Sequence, residues 1–325
     1  MKKLFVACGL ALLGLQNVSA QAIDPHFGVG VGVGTTGIAI DVSGTLNSYV
    51  GARFGVDIMP EIKIGTELDL GIEDKTNGTT IEKMTQYIDD LNTRIDQWNT
   101  LNPGNRIDRV DKSKLPNQKL PNQIDVEGKF TNTQWHLLFD IYPFGDASSF
   151  HATVGAYFAP KKIIKVYNKE DGFLEPINQW NRAIVQAQEN PTSLLYTKVV
   201  EPNNLQMIGA ELGDYFITPN PTDNGNVEAS IKVGGFRPYL GIGIGRAVPK
   251  GRIGCQLDLG VQFWGSPEVY APTYDKKSTA SYNDRFSESK LEESNAGSDA
   301  GKVLKTISKI SVYPVLNFRL VGRIF

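Results

Sequence analysis

Apolar and polar side chains alternate along much of this chain with a period of two residues. The segment 252–264 shows the pattern most clearly, because one face carries arginine, glutamine, aspartate and glycine while the other is entirely apolar. The apolar face consists of Ile253, Cys255, Leu257, Leu259, Val261 and Phe263. Successive side chains of a strand point to opposite faces, so the segment predicts a β-strand that lies between two different environments.

The same alternation recurs in eight segments, and their polar faces repeatedly include charged residues. These segments are 28–45, 48–58, 61–72, 130–143, 149–165, 234–246, 252–264 and 309–325. A closed barrel in a bilayer explains the pattern, since lipid contacts the apolar faces and the polar faces fill the lumen. The sequence therefore predicts an all-β chain that forms an eight-stranded antiparallel up-and-down transmembrane β-barrel. An even number of strands places both chain ends on the same side.

The first of these segments contains a shift in its alternation. The valines of 29–33 and the isoleucines of 38–40 fall on opposite parities, and we expect a β-bulge between Gly34 and Gly37 to absorb one residue. Gly32, Gly34 and Gly37 also match the G-x-G-x-x-G dinucleotide pattern. A β-branched alternating segment follows instead of the helix that such a site requires, so we reject a nucleotide site. The inward glycines are expected to make room for large lumen side chains opposite them.

Three long segments interrupt the strands and are predicted to be loops at the outer end of the barrel. They are 73–128, 166–233 and 265–306, and the inner turns are predicted at 59–60, 143–148 and 247–251. Apolar residues at steps of three and four predict a short amphipathic helix in each of the first two loops, with Trp98 and Trp180 on their apolar sides. Loops of this length are uncommon unless they are functional or disordered. Either the helices only pack on each other as a cap over the barrel mouth, or this cap also presents a binding surface for a host or envelope ligand, with the barrel as its anchor.

The first twenty residues have the features of a secretory signal peptide. Two lysines precede an apolar run over 4–15, and Val18-Ser19-Ala20 forms a cleavage site of the A-x-A type. We therefore expect 1–20 to be removed and 21–325 to form a single outer-membrane β-barrel domain. A lipid anchor at Cys8 is the less favoured alternative, because only a short apolar run precedes this cysteine. Cys255 would then be the one remaining cysteine, and its place on an apolar face predicts a small hydrophobic residue.

Composition narrows the class of protein further. The chain has 33 glycines, 17 prolines, a formal net charge of −2 and 41 % hydrophobic residues. After the signal peptide it lacks the run of about 18 or more apolar residues that a transmembrane helix requires. The near-zero net charge argues against nucleic acid as a partner.

Charged side chains on the predicted lumen faces include both signs. An eight-stranded barrel is only wide enough for side chains to fill, and unpaired charges in so narrow a space would be costly to desolvate. We therefore expect an interlocking ion-pair network that plugs the lumen. Its predicted members are Asp41, Arg53, Asp57, Glu67, Asp69, His136, Asp140, His151, Arg237, Asp258, Arg319 and Arg323.

Several short stretches resemble a family of Gram-negative eight-stranded outer-membrane β-barrel proteins with the architecture of the OmpA transmembrane domain. The stretches are Tyr142-Pro-Phe144, Phe236-Arg-Pro-Tyr-Leu-Gly-Ile-Gly243, Asp258-Leu-Gly-Val-Gln-Phe-Trp-Gly-Ser-Pro267 and Tyr313-Pro-Val-Leu316. The resemblance implies a place in the outer membrane, termini in the periplasm, and contacts with outer-membrane lipid and the assembly machinery. It also implies that the terminal Phe325 is an assembly signal, although Arg323 stands where that signal usually has an aromatic residue. The resemblance covers the strands and short turns but not the long loops.

These observations favour a structural or surface-interaction protein over an enzyme. His136 and His151, with Asp140 near His136, leave open a lipid A-modifying enzyme, but both histidines point inward by parity. None of the H-E-x-x-H, G-x-S-x-G or C-x-x-C patterns occurs, so no metal, cofactor or acyl-enzyme chemistry is expected. A narrow transporter of small or apolar solutes is the other alternative. An extracellular or envelope ligand of the outer loops is the expected partner, and its identity stays open.

Overall fold

The computed structural model describes residues 26–69, 72, 76, 79–113, 115 and 119–324. Strands dominate this part of the chain. In order they are β1 (His26–Gly34), β2 (Gly37–Asn47), β3 (Val50–Ile58), β4 (Ile62–Asp69), β5 (Gln123–Phe130), β6 (Gln134–Ile141), β7 (Phe150–Phe158), β8 (Lys162–Asn168), β9 (Ala210–Leu212), β10 (Tyr215–Ile217), β11 (Glu228–Lys232), β12 (Phe236–Ile244), β13 (Ile253–Phe263), β14 (Glu268–Tyr274), β15 (Phe286–Lys290) and β16 (Val312–Arg323). The α-helices are α1 (Ile81–Leu101), α2 (Glu175–Glu189) and α3 (Ser298–Ser308). No described helix is long and apolar enough to cross a bilayer.

Eight of the strands close into an antiparallel barrel in the order β1-β2-β3-β6-β7-β12-β13-β16. The last strand pairs with the first, for example at Val31 and Leu320, so the barrel has no free edge. Closure satisfies the backbone hydrogen bonds of every strand within the sheet, which is the condition for β-structure in hydrocarbon. The predicted fold class is confirmed.

The exterior of the barrel is a continuous apolar surface. Val31, Leu257 and Leu320 point outward and are 57 %, 47 % and 51 % exposed, while their neighbours on the alternate parity are buried. This arrangement inverts that of a water-soluble protein, because the charged residues lie inside and the aliphatic residues outside. The chain therefore has the architecture of an outer-membrane β-barrel, and the predicted parity of the strands is confirmed.

The prediction of one strand over 28–45 is wrong, because this segment is a hairpin. β1 and β2 pair side by side, with Gly34 opposite Gly37, and residues 35–36 form the turn. Gly37 has a φ of +102°, a conformation that favours glycine. Gly34 and Gly37 flank the two-residue turn and lie opposite each other on the same face, so the hairpin shifts the alternation by one residue just as a bulge does. The predicted bulge is in fact this turn.

The prediction that 61–72 is a barrel strand is also wrong. Residues 62–69 form β4, which pairs with β5 in a second sheet outside the barrel. Glu67 is accordingly exposed, and Asp69 lies opposite Gln123 in that sheet, so neither belongs to the lumen. The predicted inner turn at 59–60 instead begins the long segment that leads to β6. The segment 28–45 contains two barrel strands instead of one, and the segment 61–72 contains none. The predicted total of eight barrel strands is therefore still correct.

The second sheet continues the barrel wall, beyond short breaks for five of its strands and beyond the segment 291–311 between β15 and β16. Its order β4-β5-β8-β11-β14-β15 follows the order of the barrel strands β3-β6-β7-β12-β13-β16. The short breaks contain residues that interrupt the hydrogen-bond ladder between strands, such as Pro60, Pro160 and Gly265. Gly265 has a φ of +72°. The segments 73–128, 166–233 and 265–306, predicted as loops, therefore contain strands that rise above one end of the barrel.

We call the described residues of 59–133, 159–235 and 264–311 the cap. The cap has a hydrophobic core of its own, in which Trp180 and Ile184 of α2 lie with Met84 and Ile88 of α1. The apolar stripe of each helix is buried in this shared core, as a stable amphipathic helix requires. α1 and α2 thus pack together on the second sheet, and the described core around them contains no residue of a barrel strand.

Candidate functional site

An arginine joins two carboxylates across the centre of the barrel lumen. Arg53 on β3 donates from Nη2 to Asp140 Oδ1 on β6 at 2.7 Å and from Nη1 to Asp258 Oδ2 on β13 at 2.9 Å. All three side chains are buried, and the Thr153 hydroxyl donates to Asp140 Oδ1 at 2.8 Å. β3 and β13 lie four strands apart in the ring of eight. The Arg53–Asp258 pair therefore spans the lumen and closes it.

A second ion pair lies beside the first and is linked to it by a glutamine. Arg319 on β16 donates from Nε to Asp41 Oδ2 on β2 at 2.7 Å and makes a further short bond to the other carboxylate oxygen. Gln256 accepts from Arg319 Nη1 at 2.9 Å and donates to Asp140 Oδ2 at 3.2 Å. Bidentate pairing with hydrogen-bonded neighbours offsets the cost of burying these charges.

Each lumen histidine contacts a carboxylate. His151 Nε2 lies 2.9 Å from Asp258 Oδ1, and His136 Nδ1 lies 2.9 Å from Asp57 Oδ1. The hydrogen bonds of these two imidazoles, within the described part of the chain, reach carboxylates, Gln256 and the Ser149 carbonyl. These partners are carboxylate, amide and carbonyl groups.

Asp140, His151 and Asp258 have the right donor atoms for a metal, since their ligand atoms lie within 4.8 Å of one another. The same carboxylates are already bonded to the guanidinium of Arg53. A cation at this position would face the fixed positive charge of Arg53, which opposes metal binding. These residues fit an ion-pair cluster better than a metal site.

An apolar layer closes the lumen next to the ion pairs. Leu138, Tyr157, Tyr239 and Val315 are buried and form one cluster, in which the rings of the two tyrosines are 5.5 Å apart. Gly260 on the adjacent strand β13 leaves room for the Tyr239 ring, because a Cβ at this glycine would lie 2.5 Å from the Tyr239 hydroxyl. The lumen is therefore filled by both polar and apolar side chains.

Arg237 lies at the end of the lumen nearest the cap. It is fully buried and donates to oxygens of neutral groups, which are Gly234 O at 2.9 Å, Asn132 Oδ1 at 2.5 Å, Gln134 Oε1 at 3.2 Å and Pro160 O at 3.1 Å. Gly234 and Pro160 belong to the breaks between the barrel and the second sheet. Arg237 therefore ties the barrel rim to the base of the cap.

The structure brings most of the predicted lumen residues together. Those that lie buried inside the barrel are Asp41, Arg53, Asp57, His136, Asp140, His151, Arg237, Asp258 and Arg319. Arg323 is only half-buried, donates to the Lys250 carbonyl and contacts His26 at the end of the barrel, so it is outside the network. Phe325 and the predicted signal peptide, including its cleavage site, lie outside the described residues.

Sequence reasoning missed the neutral residues that complete the lumen. Gln256, Thr153 and Gln134 lie on the same lumen-facing sides of their strands as the charged residues. The period-two alternation could therefore have identified them. The prediction considered only charges, although each buried carboxylate needs several donors. Gln256 in particular connects the Arg319 pair with the Arg53 pair.

The two predicted loop tryptophans have different environments. Trp180 is fully buried in the cap, where its Nε1–H donates to the Gln206 carbonyl at 2.9 Å. Trp98 near the end of α1 is 49 % exposed. The predicted apolar loop surface therefore holds for Trp98 but is wrong for Trp180, because helix packing buries the indole of Trp180.

The outside of the cap has several recesses. One has a volume of about 730 Å³ and includes Glu189, Tyr274 and Arg285 in its lining. Burial of the Arg285 guanidinium opposes its charge, but hydrogen bonds to Tyr274 and Glu189 outweigh this and raise its pKa. Burial also raises the pKa of the nearby Tyr282. Arg285 therefore remains a cation that is fixed to Glu189 on α2.

No family model and no curated protein matches the sequence. Solved structures with similar chains include CarO of Acinetobacter baumannii (14 % identity, TM-score 0.38, 91 % of this chain and 96 % of that chain covered) and CarO2 of the same species (15 %, 0.38, 92 % and 98 %). A major outer membrane protein from Thermus thermophilus is 12 % identical, with a TM-score of 0.35 over 92 % of this chain and 98 % of that chain. Similarities this low do not support an inference about function, and the barrel assignment rests on the strand pairing described above.

Proposed function

We propose that this chain is an integral outer-membrane β-barrel that serves as a closed anchor for a surface-interaction cap. The observation that carries the proposal is the Arg53–Asp258 pair, which crosses a lumen that other side chains also fill. A barrel closed in this way holds a structure in the membrane but has no open path for solutes. The functional surface is then expected on the cap.

The apolar exterior supports a place in the bilayer. Side chains such as Val31, Leu257 and Leu320 would meet lipid on all sides of the barrel. Outer-membrane lipid and the assembly machinery for such barrels are therefore the expected envelope partners, with Phe325 as the proposed assembly signal. The strand directions place the cap at the end opposite the two termini, so a periplasmic C-terminus would put the cap at the cell surface.

The size and the packing of the cap support an interaction role. Its core around Trp180 and Met84 is separate from the barrel lumen, and its second sheet extends well beyond what connections between barrel strands require. An ordered structure of this size is expected to present surfaces to a ligand outside the cell or in the envelope. Neither catalysis nor solute transport needs such a structure above a closed lumen.

Two measurements on purified protein test the closed-anchor part of the proposal. In planar bilayers, we expect no ion conductance from the intact chain or from a form in which 59–133, 159–235 and 264–311 are replaced by Gly-rich turns. The second form matters because it removes the cap but keeps the Arg53–Asp258 pair. Steady conductance by the shortened barrel would favour the transporter alternative, and release of acyl chains from radiolabelled lipid A by the intact chain would favour the enzyme.

Surface binding is tested with the same two forms. Each is immobilised and incubated with a panel of extracellular-matrix proteins and with polysaccharide from the cell envelope. We expect a saturable interaction for the intact chain that the shortened, membrane-inserted barrel lacks. Equal binding by both forms would place the interaction on the barrel and overturn the role proposed for the cap.

A further inference from the structure

An apolar cavity lies between the second sheet, the start of α2 and the β9–β10 hairpin. Its volume is about 290 Å³, near the lower end of the range typical of small-molecule sites. Val126, Val166 and Ala229 of three adjacent strands contribute to the sheet side, and Leu174 and Ile177 line the helix side. These residues come from separate cap segments, so the cavity forms only when the cap is folded.

Alternation on the second sheet directs aliphatic side chains into this cavity. Val126, Val166 and Ala229 share one face, since Val166 is paired with Ala229 and with Gly128, two residues from Val126. The opposite face carries Glu127 and Glu228, which are bonded to tyrosine and lysine side chains. The cavity side of the sheet is therefore apolar and its outer side is charged.

The polar side chains in the cavity wall have partners within the protein. Thr218 Oγ1 donates to the Ile208 carbonyl at 2.8 Å and accepts from Asn181 Nδ2 at 2.7 Å. Asn168 donates to Asn226 Oδ1 at 2.7 Å and accepts from the Val227 amide at 2.9 Å. A ligand in the cavity would find little hydrogen bonding, so a polar or charged molecule would lose its hydration without replacement.

We propose that this cavity binds a small apolar ligand of the hydrocarbon class, such as a medium-length alkyl chain. This inference rests on the proposed function, because it gives the interaction cap a site and a ligand chemistry. Several lining residues, among them Val126, Val166, Ile217 and Ala229, are only partly buried, so the cavity is accessible from outside. Accessible aliphatic walls with satisfied polar groups fit such a ligand better than an ion or a sugar.

The test uses the full chain in detergent and a medium-chain alkyl diazirine as the photoreactive probe. Labelled residues are located by mass spectrometry. We expect labelling of cap peptides that contain Val126, Val166 or Ala229, competed by the unlabelled alcohol of the same chain length. Labelling of the barrel exterior is an internal control, because its side chains contact the detergent whether or not the cavity binds the probe.

Two variants separate binding from folding. Ala229→Leu fills the cavity, and we expect loss of cap labelling with barrel labelling retained. Its matched control, Ala280→Leu, changes an exposed alanine outside the cavity and should label as wild type. Val166→Thr replaces a methyl group of the cavity wall by a hydroxyl at nearly the same volume, so it should weaken cap labelling without disturbing the fold. Its control is Val303→Thr, on the exposed side of α3.

Labelling confined to the barrel exterior of the wild type would overturn the hydrocarbon site. Cap labelling that persists unchanged in both Ala229→Leu and Val166→Thr would also overturn it. Either result is independent of whether the intact cap binds matrix proteins or polysaccharide. The apolar site and the wider surface-interaction role can therefore fail separately.

Discussion

Arg319 occupies the space that a side chain at Gly30 would need: a Cβ built on Gly30 would lie 2.3 Å from Arg319 Nε. The glycine on β1 therefore lets the guanidinium on β16 cross to Asp41 on β2. This contact explains one of the inward glycines in β1, which are expected from the sequence to make room for large lumen side chains.

Gly30→Val should destabilise the barrel, because it displaces Arg319 and leaves Asp41 buried without its partner. Breaking a buried ion pair in this way costs about 3–5 kcal/mol. The measurement is the free energy of unfolding in urea for barrels inserted in lipid vesicles. Gly65→Ala is the matched control, since the nearest atom to its new Cβ is 3.8 Å away and the residue lies in the exposed strand β4. Equal stability of the two variants would contradict the assigned lumen contact.

Arg53→Met should be similarly costly, because it leaves Asp140 and Asp258 facing each other without a cation. We expect a loss of about 3–5 kcal/mol in the same unfolding assay. Lys112→Met removes an exposed pair with Asp89 in the cap and should cost at most about 1 kcal/mol. A small effect of Arg53→Met would mean that the two carboxylates are not held by this guanidinium.

A charged side chain placed on the outer face of β13 tests whether this face contacts lipid. Leu257→Arg places a guanidinium on the apolar exterior and should cost about 2–4 kcal/mol if the position lies near the bilayer midplane. Val303→Arg, at an exposed position of α3 in the cap, should change the free energy of unfolding little. If vesicle-inserted barrels tolerate both substitutions equally, the exterior of β13 does not face hydrocarbon.

The sequence predicted the barrel and its lumen well because both depend on a period of two that each strand repeats. It could not distinguish the turn between Gly34 and Gly37 from a bulge, since both shift the alternation by one residue. Nor could it exclude β4 from the barrel, because Ile62 and Ile64 alternate with polar residues as a barrel strand does, and both remain exposed. The cap depends on pairing between segments far apart in the chain, which local alternation does not reveal.

Acid should weaken the second sheet. Burial opposes the charge of Glu228, but hydrogen bonds from Lys162 and Lys165 outweigh this and lower its pKa, and a hydrogen bond from Lys290 lowers the pKa of Glu268. A lowered folded pKa stabilises the sheet above the unfolded value of about 4.3, and this contribution is lost as the pH falls through the folded pKa.

Hydrogen exchange of the β8 and β11 amides between neutral and acidic pH measures this effect. Protection should fall below about pH 4.3 in the wild type. In Glu228→Gln, protection should be lower at neutral pH and should change less on acidification. A pH response identical to that of the wild type would show that Glu228 does not contribute to it.

Trp180→Ala should unfold the cap selectively. Trp180 is fully buried among apolar residues of α1 and α2, and removing such an indole costs about 3–5 kcal/mol through lost transfer free energy and the cavity left behind. Because the cap core is separate from the lumen, we expect increased proteolysis of the cap and faster hydrogen exchange in α2, with the heat-modifiable migration of the barrel on gels unchanged. Trp98→Ala is the matched control, since its side chain is half exposed and its removal should leave both measurements close to wild type. If Trp180→Ala also abolished heat-modifiable migration, the cap and the barrel would form one cooperative unit, and the cap could not be treated as a structure anchored on an independently stable barrel.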